Sequence, residues 1–217
     1  MSKEAEVVLR AGLDALHLSL SDAQVEQLLD YQALIGKWNK VYNLTAVRDP
    51  AEMLTHHLLD SLATVAPLQK HLQGRGLSAA SLLDVGAGAG LPGVVLSICC
   101  PTLAVTCVDT VGKKAAFIKQ AALALGLVNL TGLHARVETI TQPFDVICSR
   151  AFASLADFTG WSQAALAPGG VWMALKGKHP AEELATLQPN VAMFHVEPLA
   201  VPGLAAERCI IWLQKAS

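Results

Sequence analysis

The chain is organised around one stretch, Leu82-Leu83-Asp84-Val85-Gly86-Ala87-Gly88-Ala89-Gly90-Leu91-Pro92-Gly93. An apolar run passes directly into a loop with a glycine at every second position, and another apolar run follows it. Glycine lets the backbone turn tightly and approach a ligand without a Cβ in the way. A strand, a glycine loop and a helix in this order predict a ligand site at the carboxyl edge of a parallel sheet.

Two ligand classes compete for this loop. Residues 88–93 satisfy the dinucleotide pattern Gly-x-Gly-x-x-Gly, which is a weak signal alone. Counted from Gly86, the first glycine after the strand, the sixth position is Leu91, and this register favours S-adenosylmethionine over NAD. Asp84 is an acid in the place where a methyltransferase helps to hold the methionine amine. Asp109 ends the next apolar run, where a carboxylate can accept both ribose hydroxyls of either ligand.

The pattern of apolar residues changes near residue 74. Up to about residue 72 the apolar residues follow helical spacing, with Ser21 capping a second helix, a break from Asn39 to Asp49 and a third helix from about Pro50. Beyond Gly76, short aliphatic runs alternate with helical stretches at about 93–99, 113–125, 154–166 and 180–186. The runs are Ser81-Val85, Ala104-Asp109, Leu130-His134, Phe144-Ser149, Val171-Leu175, Ala192-Glu197 and Cys209-Leu213.

This alternation predicts an α/β fold with a mostly parallel, seven-stranded sheet covered by helices on both faces. The last two runs lack a long helix between them and are expected to form an antiparallel edge. We therefore expect an N-terminal helical extension over residues 1–74 and a ligand-binding domain over residues 75–217.

Composition limits the class of function. Hydrophobic residues make up 53% of the chain and charged residues 16%, which is typical of a globular protein with a sizeable core. The net charge of −2 lacks the basic excess of an indiscriminate RNA coat, so RNA contact requires a local basic patch. The five cysteines lie in apolar runs without framework spacing, which indicates buried, reduced thiols. The start of the chain has no signal-peptide core and no long apolar span follows, so we expect a cytoplasmic protein without membrane contact.

The sequence resembles the small-subunit (16S) ribosomal RNA guanine-N7 methyltransferases of the RsmG (GidB) family over nearly its whole length. Each matching motif is short, but their order and combination are specific. Besides the glycine stretch they are Lys37-Trp38-Asn39-Lys40-Val41-Tyr42-Asn43-Leu44-Thr45, His57-Leu58-Leu59-Asp60-Ser61-Leu62, Ser149-Arg150-Ala151-Phe152-Ala153-Ser154-Leu155, Ala174-Leu175-Lys176-Gly177 and Glu207-Arg208.

The resemblance implies a Rossmann-like class I fold, S-adenosyl-L-methionine as cofactor, and 16S rRNA, within the small ribosomal subunit, as partner. The cofactor contacts that it carries over are Gly86, Leu91, Val137, Glu138 and Arg150, to which the loop argument adds Asp84, Gly88, Gly90 and Asp109. The basic positions linked to activity are Lys113, Arg136, Arg150 and Lys176. The residues expected to contact RNA are Arg48, Lys113, Arg136, Phe152 and Lys176.

Two positions depart from the family pattern. His56 stands where the family usually has arginine, which weakens one basic contact because an unperturbed histidine is mostly uncharged at neutral pH. Cys209 stands where the family usually has histidine, and we expect it to affect packing alone. The segment Asn43-Leu44-Thr45 is expected to fold over the cofactor pocket and tie the helical part to the sheet.

The implied chemistry explains what the sequence lacks. Guanine N7 carries a lone pair and no proton, so it attacks a sulfonium methyl without a general base, and catalysis reduces to orientation and electrostatics. Phe152 is expected either to stack on a purine or to pack in the core. His56, His57 and Asp60 do not make a convincing metal site, because adjacent histidines point to different faces of a helix, and no metal is expected.

Two other functions remain open on the sequence alone. An NAD-dependent oxidoreductase would be protected against heat by a nicotinamide cofactor rather than by S-adenosylmethionine. A ribosome-binding assembly factor without turnover would bind particles tightly, regardless of cofactor and of Arg150. The sequence does not identify the methylated nucleotide, the oligomeric state or whether naked rRNA suffices.

Overall fold

The computed structural model describes residues 3–216; Met1, Ser2 and Ser217, which the predicted regions 1–74 and 75–217 include, lie outside the described residues. The first part of the chain is helical. Its helices are α1 (Lys3–Ala15), α2 (Asp22–Tyr42), α3 (Pro50–Met53), α4 (Asp60–Leu62) and α5 (Val65–Gly74).

Helix α2 begins as the sequence predicts and ends later than predicted. Ser21 accepts from the backbone N–H of Gln24, whose side chain accepts from the Ser21 backbone in return, so a complete capping box starts the helix. The predicted break at Asn39 is wrong, because the helix continues to Tyr42. It ends at Asn43, which adopts a left-handed conformation with φ 50° and donates its N–H to the Asn39 carbonyl.

A π-helical turn, Leu54–Leu59, joins α3 to α4 and makes residues 50–62 one helical segment. The predicted start near Pro50 is confirmed, with Asp49 as the cap that accepts from the N–H groups of Ala51 and Glu52. The π turn itself has no signal in the apolar spacing. Such turns insert one extra residue into an α-helix and occur often at functional sites.

Within residues 3–216, seven strands form one sheet in the order β3-β2-β1-β4-β5-β7-β6. Strands β1 to β5 run parallel to one another, and β7 is antiparallel to both β5 and β6. The mostly parallel sheet with an antiparallel edge is thereby confirmed. The strands are β1 (Ala80–Val85), β2 (Leu103–Asp109), β3 (Leu130–His134), β4 (Phe144–Arg150), β5 (Leu166–Lys176), β6 (Val191–Leu199) and β7 (Arg208–Lys215).

Because β1 to β5 run parallel, the loops after β1, β2, β3 and β4 gather at one edge of the sheet. Helices connect β1 to β2, β2 to β3 and β4 to β5, whereas β3 and β4 are joined through a 3₁₀ turn. Short 3₁₀ turns also occur at Val137–Thr139 and Gln163–Ala165. The helices of this part are α6 (Gly93–Cys99), α7 (Gly112–Ala124), α8 (Leu155–Ser162) and α9 (Ala181–Ala185).

The core lies on both faces of the sheet, because successive residues of a strand point to opposite faces. On β1, Leu82 packs in one apolar cluster and Leu83 in the other. The N-terminal helices share the first cluster, to which α2 contributes Leu28 and Ile35. Since the extension and the sheet bury their apolar residues together, the division at residues 74 and 75 stays a prediction about sequence organisation.

Candidate active site

The glycine loop after β1 has the backbone conformation that its glycines permit. Gly86, Gly88 and Gly90 have φ values of 65°, 60° and 89°, a region that residues with a Cβ seldom adopt. A Cβ at Gly86 would overlap the ring of Phe152. The hydroxyl of Tyr31 on α2 donates to the Ala89 carbonyl at 2.6 Å, so the N-terminal helices support the loop directly.

Asp84 lies beneath the loop and is fully buried. Its Oδ2 accepts from the backbone N–H of Gly93 at 2.8 Å, which ties β1 to the start of α6. Burial raises the pKa of this carboxyl to about 7, and the bond from Gly93 opposes that rise. The Asp84 side chain lines neither of the cavities described below, and its contact with the methionine amine stays a prediction.

Asp109, at the end of β2, is buried except for a small part of its carboxylate. Oδ2 accepts from the Gly88 N–H at 3.0 Å and Oδ1 accepts from the Val111 N–H at 2.8 Å. The ammonium group of Lys114 lies 3.8 Å from Oδ2. The carboxylate is thus held in one orientation by the two loops between which it lies.

One cavity, here called the strand-end cavity, has a volume of about 370 Å³ and lies at the ends of β1, β2 and β3. The guanidinium of Arg136 and the carboxylate of Glu138 lie 2.7 Å apart at its rim, and this contact lowers the pKa of Glu138. Its walls are Val85, Gly86, Val108, Asp109, Thr110, Val111, Lys114, Ala135, Arg136, Val137, Glu138, Ala151, Phe152 and Trp161.

A second cavity, here called the interface cavity, has a volume of about 470 Å³ and lies between the N-terminal helices and the sheet. It meets the strand-end cavity at Gly86 and Ala151, which line both. Its other walls are Leu44, Thr45, His56, His57, Asp60, Ala87, Gly88, Ala89, Leu91, Arg150, Leu175, Lys176, Gly177, Leu199, Arg208 and Cys209.

An ion-pair network holds one wall of the interface cavity. Asp60 accepts from Nη1 of Arg150 with one carboxylate oxygen and from Nε of Arg208 with the other, both at 2.8 Å. Lys176 is paired separately, since its ammonium donates to the Glu183 carboxylate at 2.8 Å and to the Ala153 carbonyl at 3.2 Å. Every cation of this wall therefore has a fixed partner.

His57 is another titratable group in the wall of the interface cavity. Its Nε2 lies 2.8 Å from the hydroxyl of Thr45, in the segment that follows α2. Burial, and after it the charge of Arg150, lower the pKa of His57, so the ring is neutral at neutral pH. Among residues 3–216, no group of three or more histidine, cysteine, aspartate or glutamate side chains is arranged to hold a metal ion.

The family model described as rRNA small subunit methyltransferase G matches residues 24–211. The chain belongs to this family. It is 73% identical over 210 residues to the ribosomal RNA small subunit methyltransferase G of Polaromonas naphthalenivorans, an alignment that covers 96% of this chain and 95% of that relative.

Solved structures confirm the methyltransferase fold. TrmN from Thermus thermophilus matches with a TM-score of 0.55 at 23% identity, over 75% of this chain and 53% of that one. A SAM-dependent methyltransferase from Aquifex aeolicus matches with a TM-score of 0.54 at 18% identity, over 77% of this chain and 99% of that one. At such identities the likeness extends to the fold, which is the Rossmann-like class I arrangement that the resemblance implied.

The methyltransferase brings together most of the cofactor residues expected from the sequence. Gly86 lines both cavities, while Gly90 is buried against Val94 and lines neither of them. Those in the strand-end cavity are Asp109, Val137 and Glu138, and those in the interface cavity are Gly88, Leu91 and Arg150.

The residues expected to bind RNA do not all lie in the same cavity. Lys176 lines the interface cavity, whereas Arg136 and Phe152 line the strand-end cavity. Phe152 packs against Gly86 and meets Trp161 edge-on with ring centroids 5.8 Å apart, and the stacking of its ring on a purine stays a prediction.

Two basic predictions lie outside both cavities. Lys113 is exposed, and its neighbour Lys114 is the lysine that lines the strand-end cavity. Arg48 is exposed and donates to the side-chain oxygen of Asn43 at 3.1 Å. The contacts of both residues with RNA stay predictions.

Sequence reasoning missed several residues of the interface cavity. Asp60 was considered as a metal ligand only, although its real partners are Arg150 and Arg208. Cys209 was expected to affect packing alone, yet it lines the cavity, and so does the departure residue His56. Leu44 and Thr45 also line it, which agrees with the expectation that their segment folds over the pocket.

The five cysteines are free and buried, as their apolar surroundings predicted. None of the helices formed by residues 3–216 is long and apolar enough to cross a membrane.

Proposed function

We propose that this chain transfers the methyl group of S-adenosyl-L-methionine to N7 of a guanine in 16S ribosomal RNA. The observation that carries the proposal is the meeting of two cavities of different chemistry at Gly86 and Ala151. One has the carboxylates and small residues suited to an adenosyl group. The other has arginines suited to a polyanionic substrate.

The strand-end cavity fits the adenosyl part of this cofactor. Asp109 still has carboxylate lone pairs beyond its two backbone bonds, and ribose hydroxyls would donate to them. Val137 through its main chain and Glu138 through its carboxylate would read the adenine edge. Gly86 lines both cavities, and its missing Cβ lets the Phe152 ring pack against the loop where they meet.

The methionine part would lie along the glycine loop, beside Gly88 and Leu91, with Arg150 at its far side. When bound, the cofactor supplies an electrophilic sulfonium methyl group. Asp84 and Gly90 would act indirectly, since both lie within the loop's support and keep its backbone in place.

The interface cavity would receive the guanine. Arg150 and Lys176 would position it through acceptors such as O6 and nearby phosphates, and Arg136 would meet RNA at the rim of the neighbouring cavity. Lys113 and Arg48, both exposed, would contact phosphates outside the cavities. Because N7 bears no proton, the chain needs to orient the base and has no base catalysis to perform.

The substrate proposed here is rRNA within the small ribosomal subunit in the cytoplasm. A chain with a net charge of −2 gains little from unspecific attraction to RNA, so a structured particle that presents the guanine supports binding better than naked RNA.

The test is a transfer assay with labelled S-adenosylmethionine and small-subunit particles that lack the modification. We expect label in 16S rRNA, and strand cleavage by aniline after borohydride reduction, which is the chemical signature of 7-methylguanosine. Naked 16S rRNA serves as the second substrate and particles that already carry the mark as the control. Absence of transfer, or label on an atom other than N7, would refute the proposal.

A further inference from the structure

The π-helical turn before Asp60 exposes a carbonyl group that an α-helix would occupy. The N–H of Asp60 bonds to the carbonyls of Thr55 and His57 and bypasses that of His56. The His56 carbonyl instead accepts from Nη1 of Arg150 at 2.9 Å. The local change in helical pitch thus creates an acceptor for an arginine that lies 94 residues further along the chain.

Asp60 follows this turn directly and is 4% exposed. Its two carboxylate oxygens are divided between two arginines, Arg150 at the end of β4 and Arg208 at the start of β7. Both arginines line the interface cavity. One buried carboxylate on the N-terminal extension thereby links the ends of two separate strands of the sheet.

The pairing leaves donors available on both arginines. Arg150 uses Nη1 for both of its bonds, and Arg208 uses Nε for Asp60 and Nη1 for the Glu207 carbonyl. Within residues 3–216, no hydrogen bond engages Nη2 of either arginine. A guanidinium fixed on one side and free on the other is suited to donate hydrogen bonds to an oxygen ligand in a defined place.

We infer that Asp60 is a positioning residue for methyl transfer, which acts by fixing Arg150 and Arg208 in the orientation that receives the rRNA. The inference rests on the proposed function and deepens it. It assigns to the N-terminal extension a direct part in substrate recognition, through one carboxylate and one carbonyl of the helical segment 50–62.

Replacement of Asp60 separates orientation from simple attraction because the two effects have opposite signs. Asp60→Asn removes one negative charge next to two arginines, so attraction alone would strengthen RNA binding and steepen its dependence on salt. If Asp60 orients the arginines, the same change lowers the rate. A charged hydrogen bond contributes about 1.5–3 kcal/mol, which corresponds to about tenfold to a hundredfold in kcat/KM.

The experiment compares the wild type with Asp60→Asn in the particle assay, with Asp145→Asn as the matched control. Asp145 also accepts two hydrogen bonds, from Ser81 N and Oγ at 2.8 Å, but at the opposite end of the sheet. We expect Asp60→Asn to lower kcat/KM for the particle at least about tenfold, with binding of S-adenosylhomocysteine changed less than about threefold. Asp145→Asn is expected to keep kcat/KM close to the wild-type value. A wild-type or higher kcat/KM for Asp60→Asn overturns the inference.

Two further variants keep the test decisive if Asp60→Asn folds poorly. Arg208→Lys preserves the charge and loses the planar fork, so it is expected to lower kcat/KM about tenfold without disturbing buried Asp60 by a lost charge. In the Arg208→Ala background, Asp60→Asn is expected to cost less than in the wild type, because the pair acts as a unit. Wild-type activity of Arg208→Lys, or losses that simply multiply, would reject the inference.

Different results would refute the proposed function and the positioning role of Asp60. If wild-type protein transfers no methyl group to N7, the proposed function is wrong. If wild-type protein transfers it and Asp60→Asn does so equally well, the function stands and the positioning role of Asp60 is wrong.

Discussion

The two cavities of this methyltransferase are built in different ways. The strand-end cavity takes most of its walls from the loops after β1, β2 and β3, each of which is continuous in the sequence. The interface cavity joins residues as distant as Leu44 and Cys209, held by Asp60 to two strand ends. The first follows from local chain order in a parallel sheet, whereas the second exists only after the N-terminal helices have packed.

The two cavities should therefore serve different steps, cofactor binding in one and substrate binding in the other. Changes in the strand-end cavity should alter cofactor affinity, and changes in the interface cavity should alter transfer to the particle. Gly86 and Ala151 belong to both cavities, so substitutions there should affect both measurements.

The largest effect is expected at the shared position Gly86. Gly86→Ala should weaken S-adenosylmethionine binding by about a hundredfold or more, because the new Cβ overlaps the Phe152 ring in addition to the strain of a φ of 65°. Gly126→Ala is the matched control, since Gly126 has a φ of 66° with open space around it. Calorimetric titration of both variants measures the difference in affinity. Equal affinities would show that the cofactor does not bind at the junction of the two cavities.

A smaller and more selective effect is expected at Asp109. Asp109→Ala should weaken cofactor binding by about tenfold to a hundredfold, because it removes the carboxylate proposed for the ribose hydroxyls. At saturating cofactor, the KM for the particle should stay near the wild-type value. A change in that KM with unchanged cofactor affinity would reverse the assignment of the two cavities.

Asp84 distinguishes the support of the loop from its binding surface, through pH. Its pKa of about 7 in the folded protein exceeds the ordinary value of 3.8, so between these values the folded state binds more protons than the unfolded state. This contribution to stability is complete below the ordinary pKa and is lost as pH rises through about 7, by at most about 1.4 kcal/mol per pH unit. Asp84→Asn should remove that loss.

Urea unfolding of the wild type and of Asp84→Asn at a series of pH values between about 4 and 7 tests this expectation. The difference between the two unfolding free energies should change steadily in favour of Asp84→Asn as the pH rises. Parallel curves would mean that Asp84 does not titrate in this interval.

The smallest effect separates two adjacent lysines. Lys114→Ala should weaken cofactor binding about threefold, because Lys114 lines the strand-end cavity and pairs loosely with Asp109 at 3.8 Å, where solvent screens the charge. Lys113→Ala should leave that affinity unchanged, since Lys113 is exposed. The same titration decides it, and a greater loss for Lys113→Ala would contradict the assignment of Lys114 to the cofactor cavity.

Most of the fold could be predicted from the sequence, because strand and helix periodicity are local properties. The glycine stretch placed β1, its loop and α6, and the seven apolar runs correspond to the seven strands described within residues 3–216. The end of α2 was predicted too early, since Asn39 is a helical residue whose side chain bonds to Thr45 and Val47. Its amide caps the following segment, which spacing alone does not indicate.

The site was harder to predict than the fold, above all where packing brings together residues that are far apart in the sequence. Asp109 was predicted from its place at the end of an apolar run and Glu138 from the family resemblance, and both line the strand-end cavity. The partnership of Asp60 with Arg208 joins residues 148 positions apart, and no local pattern records it. The inward lysine of α7 was likewise undetermined, because Lys113 and Lys114 are chemically identical and only the helix phase separates them.

We place the cofactor across the junction of the two cavities, and a crystal structure with bound S-adenosylhomocysteine tests this placement. We expect the ribose at Asp109, the adenine beside Val137, and the sulfur at Gly86 facing the cavity that Arg150 lines. A nucleoside bound instead among His56, Arg208 and Cys209, with the strand-end cavity free, would contradict this placement of the cofactor.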